Sequence, residues 1–192
     1  MAPHLKANTA DRILDVAERL VQTKGFNGFS YADISAELGV QKASLHHHFQ
    51  TKAILGTTVI SRHRTRFLGA LAEIDAAGSD APTKLNAYTK LYADVLRKRR
   101  MCLCGMLAAD FETLPKPMRD GVVEFFAANE VWLAGVLESG RKKKTLRFAG
   151  TAAATAAFLL SSLEGAMLVA RSFGGVAKFE SVVRKVLTEL MD

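Results

Sequence analysis

An all-α fold is predicted from three observations. Apolar residues recur at three- and four-residue steps along nearly the whole chain. No stretch sustains the two-residue alternation of a half-buried strand. The prolines, at positions 3, 82, 115 and 117, lie outside the long periodic segments. About nine helices result, divided between a small N-terminal three-helix unit, residues 1–52, and a larger helical body, residues 53–192. The first helix is expected from about Ala10 to Lys24, with Thr9 as its N-cap, Asp11 and Asp15 favouring its early turns, and Gly25 stopping it. Its inward face is Ile13, Val16, Ala17 and Leu20. Two very short helices follow, near 31–38 and 41–48, then a long one from Lys52 to about Ala77. The loop Gly78-Ser79-Asp80-Ala81-Pro82 leads into a helix over about 83–100. A short helix near 103–113, a break at Pro115-Lys116-Pro117 and a helix near 118–139 come next. The last two helices, about 151–172 and 176–191, are divided by Gly174-Gly175.

Composition narrows the class. The 192 residues are 49% hydrophobic and 23% charged, a globular balance. Lysine and arginine outnumber acidic residues 26 to 19, and the net charge of +7 favours an anionic partner: nucleic acid, a membrane surface or an acidic ligand. Two cysteines are too few for a disulfide scaffold and point to a reducing, cytoplasmic compartment. The N-terminal segment has no apolar core of the secretory type. The longest uncharged stretch, Phe148 to Leu163, is 16 residues, short of the roughly 20 that span a bilayer. No membrane partner is therefore expected.

The informative segment lies between Phe29 and Phe49. Ser30 can cap a helix, with Asp33 three residues on closing a capping box. Ile34 and Leu38 form one apolar face, Gly39 supplies a tight turn, and Val40 plugs the corner. Leu45 and Phe49, four apart, seat the next helix on the first two. Helix, glycine turn, helix is the arithmetic of a helix-turn-helix, whose second helix enters the major groove of DNA. At about 100° per residue, Ala43, Ser44 and His47 lie opposite the buried side, flanked by Lys42, His46 and His48. Small residues in that arc let the backbone approach base edges, and longer donors at its margins reach bases or phosphates. Thr51 can cap the long helix, setting Lys52 and the first backbone N–H groups against a phosphate. The competing reading is a helical adaptor that never meets DNA.

Ile13-Leu14 with Ala17, Gly25-Phe26, Asp33-Ile34, Leu38-Gly39-Val40, Lys42, Leu45, His48-Phe49 and Lys52 followed by Leu55 resemble the N-terminal domain of the TetR family of bacterial transcriptional regulators. The match covers about a quarter of the chain, and helix count and length fit the whole. The resemblance implies an all-helical homodimer with a DNA-reading N-terminal domain and a C-terminal domain that dimerises and binds a small-molecule inducer. It places Tyr31, Gln41, Lys42, Ala43, His46, His47, His48 and Lys52 at DNA-contacting positions. Gln41 stands where serine is common and His46 where tyrosine is common, so no operator sequence carries over. The function expected is a ligand-responsive regulator, read as a repressor, released from a pseudo-palindromic double-stranded operator by an inducer of unknown identity.

Outside that segment the reading is coarser. Consecutive histidines point about 100° apart and cannot converge on one ion, so His46-His47-His48 and His63 are not read as a metal site. The basic runs Arg97–Arg100 and Arg141–Lys144 are read as solvated helix ends. Arg62, Arg64 and Arg66 either add long-range attraction for DNA or are ordinary surface. Val176, Phe179, Val183, Val186 and Leu190 step as a heptad seam that Leu187 widens. With the small residues Ala153 and Ala157 of the preceding helix, they are read as the dimer interface. Phe67, Tyr88, Tyr92, Met106, Phe111, Phe125 and Trp132 are candidates for an apolar ligand pocket, against plain core. Cys102 and Cys104 follow a basic run at a helix entrance, where a thiol pKa falls, and are weighed as an electrophile or oxidant sensor against buried fillers. No catalytic motif is present, and neither an enzyme nor a cofactor is expected.

Overall fold

The computed structural model describes residues 9–191. Among them the chain forms α1 (Thr9–Lys24), α2 (Tyr31–Leu38), α3 (Lys42–His48), α4 (Lys52–Ala76), α5 (Ala81–Arg97), α6 (Leu103–Ala109), a 3-10 turn (Phe111–Thr113), α7 (Lys116–Lys142), α8 (Ala152–Ser172) and α9 (Val176–Met191), with no strand.

Most boundaries differ from the expected ones by a residue or two, each for a local reason. Thr9 is the first residue of α1 rather than its cap. Pro82 and Pro117 sit in the first turns of α5 and α7, where a missing N–H costs nothing, so both helices begin earlier than a loop reading of those prolines implies. The α5 start is fixed by the Asp80 side chain, which accepts from the Thr83 N–H at 2.9 Å. At its far end α5 stops at Arg97, because Arg99 takes a left-handed φ of 55° and the Arg100 N–H turns back to the Val95 carbonyl at 3.1 Å.

The N-terminal unit closes over Ile13, Leu20, Ile34, Leu45 and Leu55, all 3% exposed or less. Burying a side chain of this size stabilises by about 1.5–3 kcal/mol. In the body, α8 lies between α7 and α9, and α5 packs on α7 and α9. Tyr88, Tyr92, Phe125 and Phe179 are the largest fully buried side chains there. The two halves are joined by more than α4. The Phe26 N–H donates to Asp110 Oδ2 at 2.9 Å, the Met101 N–H to the Gln22 carbonyl at 3.1 Å, and Arg171 to the Thr23 carbonyl at 2.7 Å.

The C-terminal helices correct the interface reading. Phe179, Val186, Leu187 and Leu190 of α9 are buried within this chain, where α9 packs on α5 and α8, and Val176 and Val183 are half-buried against the same core. Their apolar seam is filled from inside. Among the described residues a seam on α8 is left uncovered: Ala154, Phe158, Ser161, Gly165, Leu168 and Ser172, stepping by four and three, are all exposed, Phe158 at 59% and Leu168 at 58%. Ala153 is exposed and Ala157 half-buried beside them. By length and composition alone α8 is apolar enough to cross a membrane, which the shorter uncharged stretch did not suggest. Its other face, including Ala156, Leu159, Leu163 and Met167, packs against the core.

Candidate nucleic-acid interface

The reading head is assembled by short-range devices. The Ser30 Oγ accepts from the Ala32 N–H at 3.2 Å, and Asp33 Oδ2 accepts from the Ser30 N–H at 2.7 Å, so the capping box is formed. Hydrogen bonds from Ser30 hold the Asp33 carboxyl below the usual carboxylate range. Gly39 ends α2 at φ 66°, and both its N–H and that of Val40 return to the Ser35 carbonyl, at 3.0 and 3.2 Å. A Cβ on Gly39 would meet nothing within 4 Å, so glycine is needed for its backbone conformation and not for space. Leu45, fully buried, and Phe49, 7% exposed, then seat α3.

Seen from that anchor, Gln41, Lys42, Ala43, His46, His47 and His48 are exposed, and Ser44 is half-buried. The surface they form combines a cation, small residues and imidazoles. His46 Nδ1 lies 3.3 Å from the Gln50 carbonyl, which can only accept; Nδ1 therefore donates, and Nε2 is left for an outside partner. Tyr31 packs at a tilt against His46 with ring centroids 4.8 Å apart, and its hydroxyl donates to the Phe49 carbonyl at 2.7 Å. Its one proton is spent inside the fold, so in this arrangement Tyr31 props α3 rather than offering a donor to a phosphate.

Lys52 departs further from expectation. Its ammonium donates to the Phe26 and Phe29 carbonyls and lies 4.5 and 4.2 Å from the centroids of their rings. Partial burial lowers its pKa, with Asp33 and Asp110 opposing. The residue ties the loop after α1 to the start of α4. Thr51 caps that start as expected, accepting from the Ile54 N–H at 3.1 Å.

The remaining candidates fall in several places. A cavity of about 310 Å³ opens between α1, α4 and α5, and Phe67 and Tyr92 line it. Phe125 and Tyr88 back it from the core: Phe67 packs edge-on against both, at 5.1 and 6.2 Å. The Tyr88 hydroxyl donates to Asn129 Oδ1 at 3.0 Å and so accepts from Tyr92. Trp132 stacks on Tyr88 but turns its Nε1 to Asp75 at 2.9 Å, lining a different, surface hollow. Met106 lies under Arg171 and Phe111 under Arg119, away from the cavity. The polar lining, Glu18, Gln22, His63 and Arg66, was not expected; the signal was Glu18 and Gln22 four apart on a face otherwise apolar.

The arginines of α4 are engaged inside the chain. Arg62 pairs with Asp15 at 2.8 Å and Glu18 at 3.2 Å, Arg66 with Glu18, and Arg64 with Glu124. Of the other basic runs, Arg97 pairs with Glu180, and Arg141 donates to the Gly150 carbonyl at 2.9 Å; both are helix-end cations.

The sensor reading of the cysteines is corrected by burial. Cys102 is 5% exposed and Cys104 fully buried. Desolvation, followed by the nearby Glu164 carboxyl, pushes both thiols up, so the nucleophilic thiolate is suppressed rather than favoured. No cation of the preceding run is among the causes that shift either thiol, and Cys102 Sγ accepts from the Gly105 N–H at 3.5 Å as the cap of α6.

A capped helix, a glycine turn and a seated second helix with a cationic, open face define a helix-turn-helix DNA-binding regulator. Residues 13–55 match the family model described as bacterial regulatory proteins, tetR family, and residues 81–186 match that of the tetracyclin repressor-like C-terminal domain. The chain is 34% identical to a TetR-family transcriptional regulator from Agrobacterium tumefaciens, with a TM-score of 0.92 over 95% of this chain and 97% of that one. It is 32% identical to a TetR transcriptional regulator from Legionella pneumophila, with a TM-score of 0.88 over 97% and 99% of the two chains. No protein of curated function matches. The chain belongs to the TetR family, whose members are DNA-binding transcription factors and not enzymes.

Proposed function

We propose that the protein is a ligand-responsive repressor that binds a pseudo-palindromic operator as a homodimer, in the cytoplasm, and is released by a small-molecule inducer. The observation that carries this reading is the pairing of an open α3 face with an unpartnered apolar seam on α8. One head reads too few base pairs for a specific site; two heads tethered through α8 would bind half-sites about one helical turn apart. Residues 1–52 would read DNA, and residues 53–192 would dimerise and hold the inducer. Lys42, Ala43, His46 and His47 are assigned to base edges and nearby phosphates, with Gln41, Ser44 and His48 at the margins. Tyr31 and Lys52 are assigned to positioning α3.

An inducer acts by binding one spacing of the two heads better than the other. Titration of a duplex carrying an operator selected from random sequence, followed by light scattering of the complex, tests the reading. Two chains bound per two-fold symmetric site, with affinity falling steeply with salt, is the expected result. Salt-independent binding, or binding of a single chain, would favour a helical adaptor.

A further inference from the structure

Resting on the reading of this chain as ligand-responsive, we infer that the effector is a small amphipathic carboxylate, bound head-out and tail-in in the cavity between α1, α4 and α5.

The cavity has a graded lining. Its floor is apolar and closed: Tyr92 is 2% exposed, Met167 fully buried and Cys102 5% exposed. Half-buried Phe67, Leu91 and Val95 form the walls. Cations stand at the rim, where Arg66 and Lys98 are exposed and Arg100 is half-buried. Arg99 holds a left-handed φ of 55°, an uncommon conformation for a non-glycine residue, and this turn sets Lys98 and Arg100 at the rim together. The lining thus carries three formal positive charges against the single carboxylate of Glu18.

That carboxylate is already claimed. Glu18 pairs with Arg62 and Arg66 and accepts from His63 Nδ1 at 3.1 Å. Burial acts to raise its pKa, but His63 and Arg66 outweigh it and hold the group at about 2. The rim therefore has cationic capacity to spare for a second anion.

The orientation follows from what lies deeper. His63 Nδ1 faces Glu18, and its Nε2 is buried with no hydrogen-bond partner among the described residues. Behind the floor, the Glu164 carboxyl approaches Cys102. The apolar floor of Tyr92, Met167 and Cys102 favours hydrocarbon at depth, and the carboxylate is left to the cations at the rim. At about 310 Å³ the cavity is at the small end of ligand pockets, which suits a medium-chain or aryl-alkyl acid.

The position also supplies a link to DNA binding. An incoming carboxylate on Arg66 competes with Glu18, the residue that ties α1 to α4. Gln22 lines the same cavity, and its carbonyl accepts from the Met101 N–H at 3.1 Å.

The test uses the full chain and calorimetric titration without DNA. The probes are octanoate and 3-phenylpropanoate, each against its neutral amide of the same shape. Expected is binding of at least one acid, with its amide at least about tenfold weaker, because the amide lacks the charge that the rim cations pair with. Lys98→Gln/Arg100→Gln, on exposed and half-exposed positions, should weaken the acid about tenfold or more and leave the amide unchanged. Amides equal to acids, acids unaffected by the double substitution, or neither acid binding at millimolar concentration would overturn the proposal. A gel shift with and without the bound acid separates the two readings. Acid binding without release of operator would leave the ligand class standing and refute induction by it. Release by a neutral molecule, with no acid binding, would do the reverse.

Discussion

Replacing Lys52 with methionine separates two roles that a lysine at the start of α4 can play. If its ammonium met a phosphate, each subunit would lose one contact, and a dimer would lose about two units from the slope of log affinity against log salt. The structure instead commits that ammonium to the Phe26 and Phe29 carbonyls, between their rings. A hydrogen bond to a charged donor contributes about 1.5–3 kcal/mol, but Lys52 is only partly buried and water takes over part of what the carbonyls lose. Methionine keeps the alkyl contact with the rings. A net destabilisation of about 2 kcal/mol follows, or a fall in Tm of about 4–8 °C for a chain of this size. Urea unfolding measures the destabilisation, and fluorescence anisotropy on non-specific duplex DNA between about 50 and 200 mM salt measures the salt slope. Lys42→Met is the control: exposed and uncommitted, it should lower the slope and leave stability intact. A Lys52→Met protein of parental stability whose slope has dropped by about two would refute the inward placement of the ammonium.

Three further outcomes are expected. Phe158→Asp, on the exposed α8 seam, should yield folded monomers by light scattering and circular dichroism, whereas Val186→Asp, on the buried face of α9, should unfold the chain by leaving an unpaired charge in the core; folded dimers from both would move the interface elsewhere. In native protein, Cys104 should react with a thiol reagent only at the rate of unfolding, followed by mass spectrometry, and fast modification under native conditions would contradict its burial. Burial, opposed by a hydrogen bond with Cys102, raises the Glu164 carboxyl from 4.5 to about 7; the folded state then holds a proton that the unfolded chain releases, and stability falls as pH rises through that window. Glu164→Gln should flatten that fall in chemical denaturation, and an unchanged pH profile would show that Glu164 ionises freely in the fold.

Within the reading head, nearly every device was legible in the sequence. Ser30 with Asp33, Gly39, and the Leu45–Phe49 pair each act across one or two helical turns, so residue type and spacing carry the whole instruction. The same locality let the periodicity of nine helices among the described residues show through, with boundary errors at prolines that start a helix as readily as they interrupt a chain and at the ends of α5 and α6. What depends on a distant neighbour was not legible. The seam on α9 is apolar whether α5 and α8 of its own chain or a second chain covers it, because periodicity records that a face is buried and not by what. The exposed seam on α8 was hidden by being apolar on both sides. Charge shows the same divide. Lys52, Glu18 and the two thiols have the residue types of surface contacts or reactive groups. Their roles follow from carbonyls, guanidiniums and a carboxyl that folding brings from 23 or more positions away. A short-range code needs only the chain's own geometry; the field at a titratable group is set by everything packed around it, and only the tertiary structure decides that.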